Sequence, residues 1–458
     1  MLAAMSSAAL RPSSQATAVS RDRGDACPGT LRLHAADDGA LARVRIPGGV
    51  LTVRQAEVLA DAAQRLGDGD MHLTSRGNVQ LRGLADGCGA ELAELLTGAG
   101  LLPSRGHERV RNIVASPLSG LDGQGSRDVQ PWLAALDAAL CASEAARALS
   151  GRFLFALDDG RGDMAGLEAD VTVRAAADGG ARLALGSAGQ ALHVSAEDAP
   201  RAALVAAEAF LAEALLEAGR ASGTRAWRVT ELALADDELT AAAGRRLTAE
   251  GIAHAWRARE TGRTDGPPPG AVGDALSVHV PLGRLTASQW RELTRAATGE
   301  LRLTPWRGVV LPTPGTTAAR RTEALARLDA VGLVTDTDSP WLRVGACIGR
   351  PGCARSRADV RADATAALDA VGTARHRGAL PLYWSGCERR CGHPRGERID
   401  VVAAPQGGYR LSVVAPGHDE ARTVALDDTS RLPTVLATLT PRPPEPEPEP
   451  EPYDDREQ

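Results

Sequence analysis

The sequence predicts an α+β fold made by tandem duplication of a unit of roughly 230 residues. Three segments recur in the same order and at nearly the same separation along the chain of 458 residues. The aligned pairs are 46–55 with 280–289, 71–81 with 301–311, and 170–185 with 400–413. In the first pair, five of ten positions are identical. Compositional bias could imitate one such match, so an ordered series of three indicates duplication.

Each copy of the repeat carries the same predicted elements. The first match leads into a helical pattern, at 53–66 in one copy and 287–298 in the other. The second match alternates like a strand and would place five polar side chains of the first copy on one face, namely Thr74, Arg76, Asn78, Gln80 and Arg82. The third match predicts a β-hairpin that turns at a Gly-Gly pair. Hairpins beside helices, in two copies, predict an α+β protein with pseudo-twofold symmetry.

The charge of the chain lies largely in its C-terminal end. Residues 441–458 carry seven acids and two arginines, net −5, which leaves about −1 of the total of −6 for the rest. This Pro-Glu segment predicts an extended, disordered tail. No basic excess suggests nucleic acid, and no apolar run is long enough for a bilayer. Residues 1–25 read as a disordered leader without a signal peptide, which predicts a cytoplasmic protein.

Every basic side chain except histidine is an arginine, because the sequence contains no lysine. Guanidinium groups hold carboxylates through two parallel hydrogen bonds, so an anion site here would suit a carboxylated ligand. Further candidates in the first copy are Arg109, Arg111 and Asn112. An apolar strand also ends in three acids, Asp158, Asp159 and Asp163, which could bind a metal or move protons. The alternatives are an exposed sheet face, a loop between domains and a solvated turn.

Four of the seven cysteines lie in one stretch of the second copy. Cys347 and Cys353 form a C-x5-C pair, and Cys387 and Cys391 form a C-x3-C pair after 33 intervening residues. Four gathered thiolates are the ligand set of a [4Fe–4S] cluster. Structural zinc usually has two to four residues between paired cysteines, and disulfides would need an oxidising compartment. The spacing therefore favours an iron–sulfur cluster.

These motifs resemble those of the sirohaem-dependent nitrite and sulfite reductases. The resemblance rests on the cysteine pattern with Ser385-Gly386 before Cys387, on the polar segment 74–83, and on Arg111-Asn112 with Pro117. It implies a ferredoxin-like half-domain and an α+β domain, each present twice. The domains expected on this basis are a leader 1–25, half-domain 26–104, α+β domain 105–261, linker 262–270, half-domain 271–335, cluster domain 336–440 and tail 441–458.

Within that family the chain is most similar to the oxygen-dependent hydroxylases of aerobic cobalamin biosynthesis. The features are Cys27-Pro28-Gly29 near the start, the segment 153–160, and the loss of a basic residue. The anion reductases carry two lysines that flank a phenylalanine, where this chain has Arg152-Phe153-Leu154. The apolar Leu154 should weaken the binding of a small anion.

The resemblance implies a reaction and its components. The substrate would be precorrin-3A, hydroxylated at C20 with O2 and NADH and closed to a γ-lactone. The residues implied to bind this substrate, through its carboxylates or other polar contacts, are Arg76, Asn78, Gln80, Arg82, Arg109, Arg111 and Asn112. Asp158 and Asp159 are the candidate catalytic residues, and Asp158, Asp159 and Asp163 are the carboxylate candidates for a mononuclear non-haem iron.

Electrons would come from an external reductase or ferredoxin, because the sequence shows no dinucleotide fingerprint. One alternative is a nitrite or sulfite reductase that binds sirohaem. Another is a protein that binds tetrapyrroles or carries electrons without catalysis.

Overall fold

The computed structural model describes residues 25, 27–221, 225–235, 237–263, 265–371, 380–394, 396–414 and 423–432. The predicted tail, and the predicted leader apart from Asp25, lie outside these residues. The chain divides into two compact units. Unit 1 contains residues up to 32, 44–48 and 100–265, and unit 2 contains 33–43, 49–99 and the residues from 266 onward.

The described helices and strands are interspersed along the chain. The α-helices are α1 Val53–Leu66, α2 Gly89–Gly98, α3 Gln130–Ala142, α4 Ala199–Ala221, α5 Glu238–Ala249, α6 Ala287–Ala296, α7 Ala318–Ala330 and α8 Val360–Val371. The strands are β1 His34–Ala36, β2 Gly39–Val44, β3 Val50–Thr52, β4 Met71–Leu73, β5 Val79–Leu84, β6 Ile113–Ala115, β7 Phe155–Asp158, β8 Val171–Ala175, β9 Ala181–Leu185, β10 Gln190–Val194, β11 His254–Ala258, β12 Gly270–Val272, β13 Ala275–His279, β14 Arg284–Leu285, β15 Glu300–Leu303, β16 Gly308–Pro312, β17 Val344–Ala346, β18 Leu382–Ser385, β19 Arg398–Ala403, β20 Tyr409–Val414 and β21 Thr423–Leu426.

In unit 2 the two repeats exchange a strand. One sheet has the order β1-β2-β5-β4-β14 and the other the order β12-β13-β16-β15-β3. Strand β3 of the first repeat thus pairs with β15 of the second, and β14 of the second pairs with β4 of the first. The exchange makes each half-domain incomplete without the other, so both fold as parts of one unit.

The helices that follow the exchanged strands begin in the same way. Thr52 caps α1 and Thr286 caps α6, and in both the glutamine at the third helical position closes a capping box. The two helices pack together through the fully buried Trp290, whose indole nitrogen donates to the Ala56 carbonyl at 2.7 Å. The predicted helices at 53–66 and 287–298 are confirmed, the second ending at Ala296.

The predicted strands at 71–81 and 301–311 are wrong, because each segment is a tight hairpin. In the first, the Thr74 hydroxyl accepts from the backbone N–H of Arg76 and Asn78, and Gly77 takes φ +64°. Such a hydroxyl-centred turn competes with the extended conformation that simple alternation suggests. Thr74, Arg76 and Asn78 therefore lie in the turn, and only Gln80 and Arg82 lie on a strand.

The second hairpin repeats this turn almost atom for atom. Thr304 N–H donates to the Gly308 carbonyl, and Gly308 N–H donates to the Thr304 hydroxyl at 3.0 Å. The residue with positive φ is Gly77 in the first copy and Arg307, at φ +59°, in the second. Matching turns confirm that the two segments are copies of one another.

The remaining two sheets share a second repeated topology. In unit 1 the order is β6-β7-β8-β9-β10-β11, and in unit 2 it is β17-β18-β19-β20-β21. In both, the first three strands are parallel and the later ones antiparallel. The hairpins predicted at the Gly-Gly pairs are β8–β9 and β19–β20. The α+β class with two duplicated parts is confirmed. Among the described helices, none has the length and apolarity needed to cross a membrane.

Strand exchange gives one glycine an unusual constraint, which can be tested. Gly49 has φ +72°, and a β-carbon there would lie 1.9 Å from the Leu303 carbonyl oxygen of the strand that accepts β3. Gly49→Ala should therefore lower the free energy of unfolding by about 2–4 kcal/mol, through backbone strain and displacement of β15. Chemical denaturation measures this.

The matched control is the equivalent residue of the second copy. Gly283 has φ +68°, but its added β-carbon would meet only the flexible side chain of Arg307, at 2.7 Å. Gly283→Ala should cost only the left-handed backbone strain, about 1 kcal/mol. Equal losses in the two variants would contradict the importance of the exchanged strand.

Candidate functional site

The four cysteines of unit 2 lie in loops that follow two neighbouring parallel strands. Cys347 comes directly after β17, and Cys387 comes two residues after β18. Because β17 and β18 are parallel partners, their carboxyl ends meet at one edge of the sheet. The Gly386 N–H donates to the Cys347 thiol at 3.3 Å, which ties the two loops together. The fold thus brings together the loop after β17 and the loop after β18, and the four-cysteine ligand set stays a prediction.

The four cysteine thiols are free and none of them is fully buried. Cys391 is exposed and the other three are half-buried. Burial, reinforced by the nearby Cys391 and Cys387, raises the pKa of the Cys347 thiol. A single tetrahedral zinc with Zn–S bonds of about 2.3 Å would hold thiolates roughly 3.8 Å apart. Among the described residues no three of these thiols come within 4.8 Å of one another.

Arginine side chains surround the cysteine loops within unit 2. Arg361, in the first turn of α8, donates from Nε to the Cys347 carbonyl at 3.2 Å and from Nη1 to His72 Nδ1 at 3.1 Å. Burial, followed by the nearby Arg307, Arg284 and Arg82, lowers the pKa of Arg361 to about 10.

Of the four arginines Arg82, Arg284, Arg307 and Arg361, only two have carboxylate partners among the described residues. Arg82 pairs with Asp38 and Arg284 pairs with Asp70, whereas Arg307 and Arg361 form no such ion pair in the described chain. A desolvated cation is costly without a counter-charge. The anionic cluster that four thiolates and iron would form supplies that charge, so the residues present fit a [4Fe–4S] group.

Arg82, predicted to clamp a substrate carboxylate, already has protein partners. Its fork binds both oxygens of Asp38 at 2.8 Å, and its Nη2 also donates to the carbonyl of Gly352, next to Cys353. The buried guanidinium therefore holds the first cysteine loop in place. Substrate binding by Arg82 stays a prediction, but its first effect is structural.

The other predicted contacts in unit 2 have different surroundings. The Gln80 carboxamide oxygen, turned toward Arg43, accepts from its guanidinium Nε at 3.1 Å. Asn78 is buried, and Arg76 is half-buried in the turn beside it. The substrate-binding roles of Arg76, Asn78 and Gln80 stay predictions.

In unit 1 the predicted residues hold the loop before β6. Arg111 binds both carboxylate oxygens of Asp137 at 2.7 Å and the Leu101 carbonyl at 3.0 Å. Asn112 donates from Nδ2 to the Phe153 carbonyl. Arg109 is less buried and donates to the Asp25 carbonyl. Their predicted roles toward substrate stay predictions, and Arg109 has the more accessible guanidinium.

The segment that departs from the anion reductases is packed inside unit 1. Leu154 is 2% exposed, and its backbone N–H donates to Asp170. Arg152 points to the surface, where it pairs with Glu231 at 3.4 Å and lies over the Trp227 ring. Neither side chain of this unit lines a described anion site.

Three buried aspartates at and just after the end of β7 form a cluster of carboxylates. Ligand oxygens of Asp158, Asp159 and Asp163 lie within 4.8 Å of one another. Asp158 accepts from backbone N–H groups of its own turn, and Asp159 is paired with Arg161. Iron of the facial-triad type takes two histidines and one carboxylate. This group offers only oxygen, so it does not fit a mononuclear non-haem iron, and the described residues identify no such ligand set.

Sequence reasoning missed Tyr383 and the arginines beside the cysteine loops. The Tyr383 hydroxyl donates to the Cys391 carbonyl at 2.6 Å. One signal was available, since the internal alignment places Arg307 opposite Gly77, a left-handed turn position where glycine is expected. Arg361 had no comparable signal, because its contacts depend on tertiary structure.

The cluster of three buried aspartates in unit 1 predicts that the stability of the protein depends on pH. Burial, with nearby Asp158 and Asp159, raises the pKa of Asp163 to about 7 from 3.8. Between these two pH values the folded state binds a proton at Asp163 that the unfolded state has released. The stability that depends on this carboxyl is therefore fully present below pH 3.8 and is lost as pH rises through about 7. Asp163→Asn should equal the wild type near pH 4 and exceed it at pH 8, by up to roughly 4 kcal/mol.

A neighbouring acid provides the control for this titration. Burial opposes it, but hydrogen bonds from Arg161 lower the pKa of Asp122, so Asp122→Asn should destabilise the protein at neutral pH. Denaturation curves from pH 4 to pH 8 measure both variants. A constant difference between Asp163→Asn and wild type across this range would contradict the assigned titration.

Comparison with known proteins agrees with the duplicated architecture. Residues 34–97 and 270–331 match the nitrite/sulfite reductase ferredoxin-like half domain. The chain is 26% identical to a precorrin-3B synthase of Sinorhizobium sp over 95% of this chain and 92% of that protein. It is 29% identical to a ferredoxin–nitrite reductase of Synechococcus elongatus over 80% of this chain and 76% of that protein.

A solved structure shows the same fold. The Mycobacterium tuberculosis NirA protein superposes with a TM-score of 0.62 at 19% identity, over 86% of this chain and 78% of that one. Together with the two half-domain matches, this likeness supports the duplicated α+β fold of the chain.

Proposed function

We propose that this oxidoreductase is a precorrin-3B synthase, which hydroxylates precorrin-3A at C20 with O2 and forms a γ-lactone. The observation that carries the proposal is the burial of Leu154 where an anion reductase has a lysine. The similarity to a precorrin-3B synthase along nearly the whole of both chains supports it. NADH would be the ultimate electron source, through an external reductase or ferredoxin.

The position of Leu154 favours the first of the two candidate functions. A small anion such as nitrite or sulfite needs fixed positive charge to leave water. Leu154 offers none, and Arg152 is neutralised by Glu231 at the surface. A substrate bound through many peripheral carboxylates depends less on one compact anion pocket, and arginine suits it.

The proposed roles of individual residues follow their surroundings. Cys347, Cys353, Cys387 and Cys391 would hold a [4Fe–4S] cluster, which supplies single electrons when bound. Arg76 and Arg109 each stay a candidate carboxylate contact, because both side chains are only half-buried. Arg82 and Arg111 already hold Asp38 and Asp137, so their loss should disturb folding before it weakens substrate binding.

The second candidate is a sirohaem-dependent nitrite reductase. The observation in its favour is the 29% identity to a ferredoxin–nitrite reductase. In such an enzyme sirohaem would be present, and reduction of nitrite or sulfite would proceed without O2.

Purification without oxygen, followed by spectroscopy and turnover, tests the proposed function. The expected result is a broad iron–sulfur absorbance without sirohaem bands, and conversion of precorrin-3A only when reductant and O2 are both present. A sirohaem spectrum with turnover of nitrite or sulfite would establish the second candidate. Bound tetrapyrrole that never reacts would indicate a protein without this catalytic activity.

The cluster assignment predicts the effect of removing one ligand. Cys353→Ser should abolish the iron–sulfur absorbance and the bound iron, because a hydroxyl replaces a thiolate ligand. Cys88→Ser is the matched control, since Cys88 is also a half-buried free thiol of unit 2 but lies at the start of α2. Iron analysis and absorbance measure both. Full iron content in Cys353→Ser would show the ligand set to be wrong.

A further inference from the structure

Arg307 has a backbone conformation that its side chain makes costly. It occupies the left-handed region with φ +59°, where the equivalent residue of the first repeat is glycine. A residue with a β-carbon is strained there, and an outlier that persists indicates a role for its side chain. The repeat itself shows that the turn can form with glycine, so the fold does not require arginine at this position.

The side chain of Arg307 extends to the loop that carries Cys391. Its Nη2 lies 3.7 Å from the place where a β-carbon on Gly392 would stand, and its Nη1 lies 3.2 Å from the corresponding place on Gly345. Both glycines thus leave room for the guanidinium. The residue before Gly392 is the proposed fourth cluster ligand.

Tyr383 lies in the same space and is anchored to that ligand. Its hydroxyl donates to the Cys391 carbonyl at 2.6 Å and lies 3.0 Å from the place of a Gly392 β-carbon. The guanidinium of Arg307 faces this hydroxyl. Gly345 pairs directly with Tyr383 across β17 and β18, which brings the three groups together.

We propose that Arg307 and Tyr383 are positioning residues for the cluster: Arg307 raises its reduction potential, and Tyr383 fixes the loop of Cys391. This inference rests on the proposed cluster. One-electron reduction adds a negative charge to the cluster. A fixed cation nearby stabilises the reduced form, since net charge and hydrogen bonds around the sulfurs set the potential. Within the described chain Arg307 has no carboxylate partner, so its charge is not cancelled locally.

Arg307→Gly separates this role from a structural one. Glycine relieves the left-handed strain, so thermal stability should be retained, whereas loss of the cation should shift the midpoint potential of the cluster to a more negative value. Arg307→Lys keeps the charge and should keep most of the potential. Arg320→Gln, at an exposed position of α7, makes the same change of net charge and should leave the potential unchanged.

Tyr383→Phe tests the second half of the proposal. The variant keeps the buried ring but loses the hydrogen bond to Cys391, so an iron chelator should remove the cluster several-fold faster than from the wild type. The rate of cluster removal is measured in parallel for Arg307→Gly and for the wild type.

A redox titration of the purified holoprotein, followed by electron paramagnetic resonance, reads the potentials. A more negative midpoint in Arg307→Gly, with Arg307→Lys and Arg320→Gln near the wild type, supports the inference. An unchanged midpoint in Arg307→Gly, or unchanged cluster release in Tyr383→Phe, would overturn it while leaving the cluster assignment intact. A wild-type protein that takes up no [4Fe–4S] cluster would instead overturn the proposed function and the inference with it.

Discussion

The arrangement of the cysteines depends on one interaction, the parallel pairing of β17 and β18. Parallel strands end at the same edge of a sheet, so loops separated by many residues of sequence become neighbours there. The hydrogen bond between Gly386 N–H and the Cys347 thiol depends on this register. So does the position of Tyr383, which lies on β18 and reaches the last cysteine of the following loop. A shift of register by one residue would turn Tyr383 to the opposite face and separate these contacts.

The two copies share a backbone scaffold, and they differ in the side chains that are candidates for function. The two half-domains share capping boxes, turn hydrogen bonds and the exchanged strand. Where the backbone is the same, the side chains differ, as Gly77 and Arg307 show. The sheets that begin with β6 and β17 also share a topology, but only the loops of the second carry cysteine pairs. One copy can therefore keep the fold while the other acquires a cofactor site.

The repeat, the glycine hairpins and the cysteine set could be predicted from the sequence, because each depends on local pattern or on residue type. The turn at Thr74 could not be predicted from alternation, since a side-chain hydroxyl decides it. The partners of Arg82 and Arg111 could not be predicted either, because Asp38 and Asp137 lie 44 and 26 residues away along the chain. Sequence reasoning identifies arginines that can bind carboxylates, and only the fold shows which carboxylates they meet.

The central proposal is that this protein uses O2 to oxidise a tetrapyrrole and does not reduce a small anion. Mass spectrometry of the product formed from precorrin-3A under oxygen-18 gas tests this most directly. The account predicts a product that carries one oxygen-18 atom when the gas is labelled. When the water is labelled and the gas is not, the new hydroxyl group should carry no oxygen-18. An unlabelled product under oxygen-18, or turnover of nitrite or sulfite with no change in precorrin-3A, would contradict it.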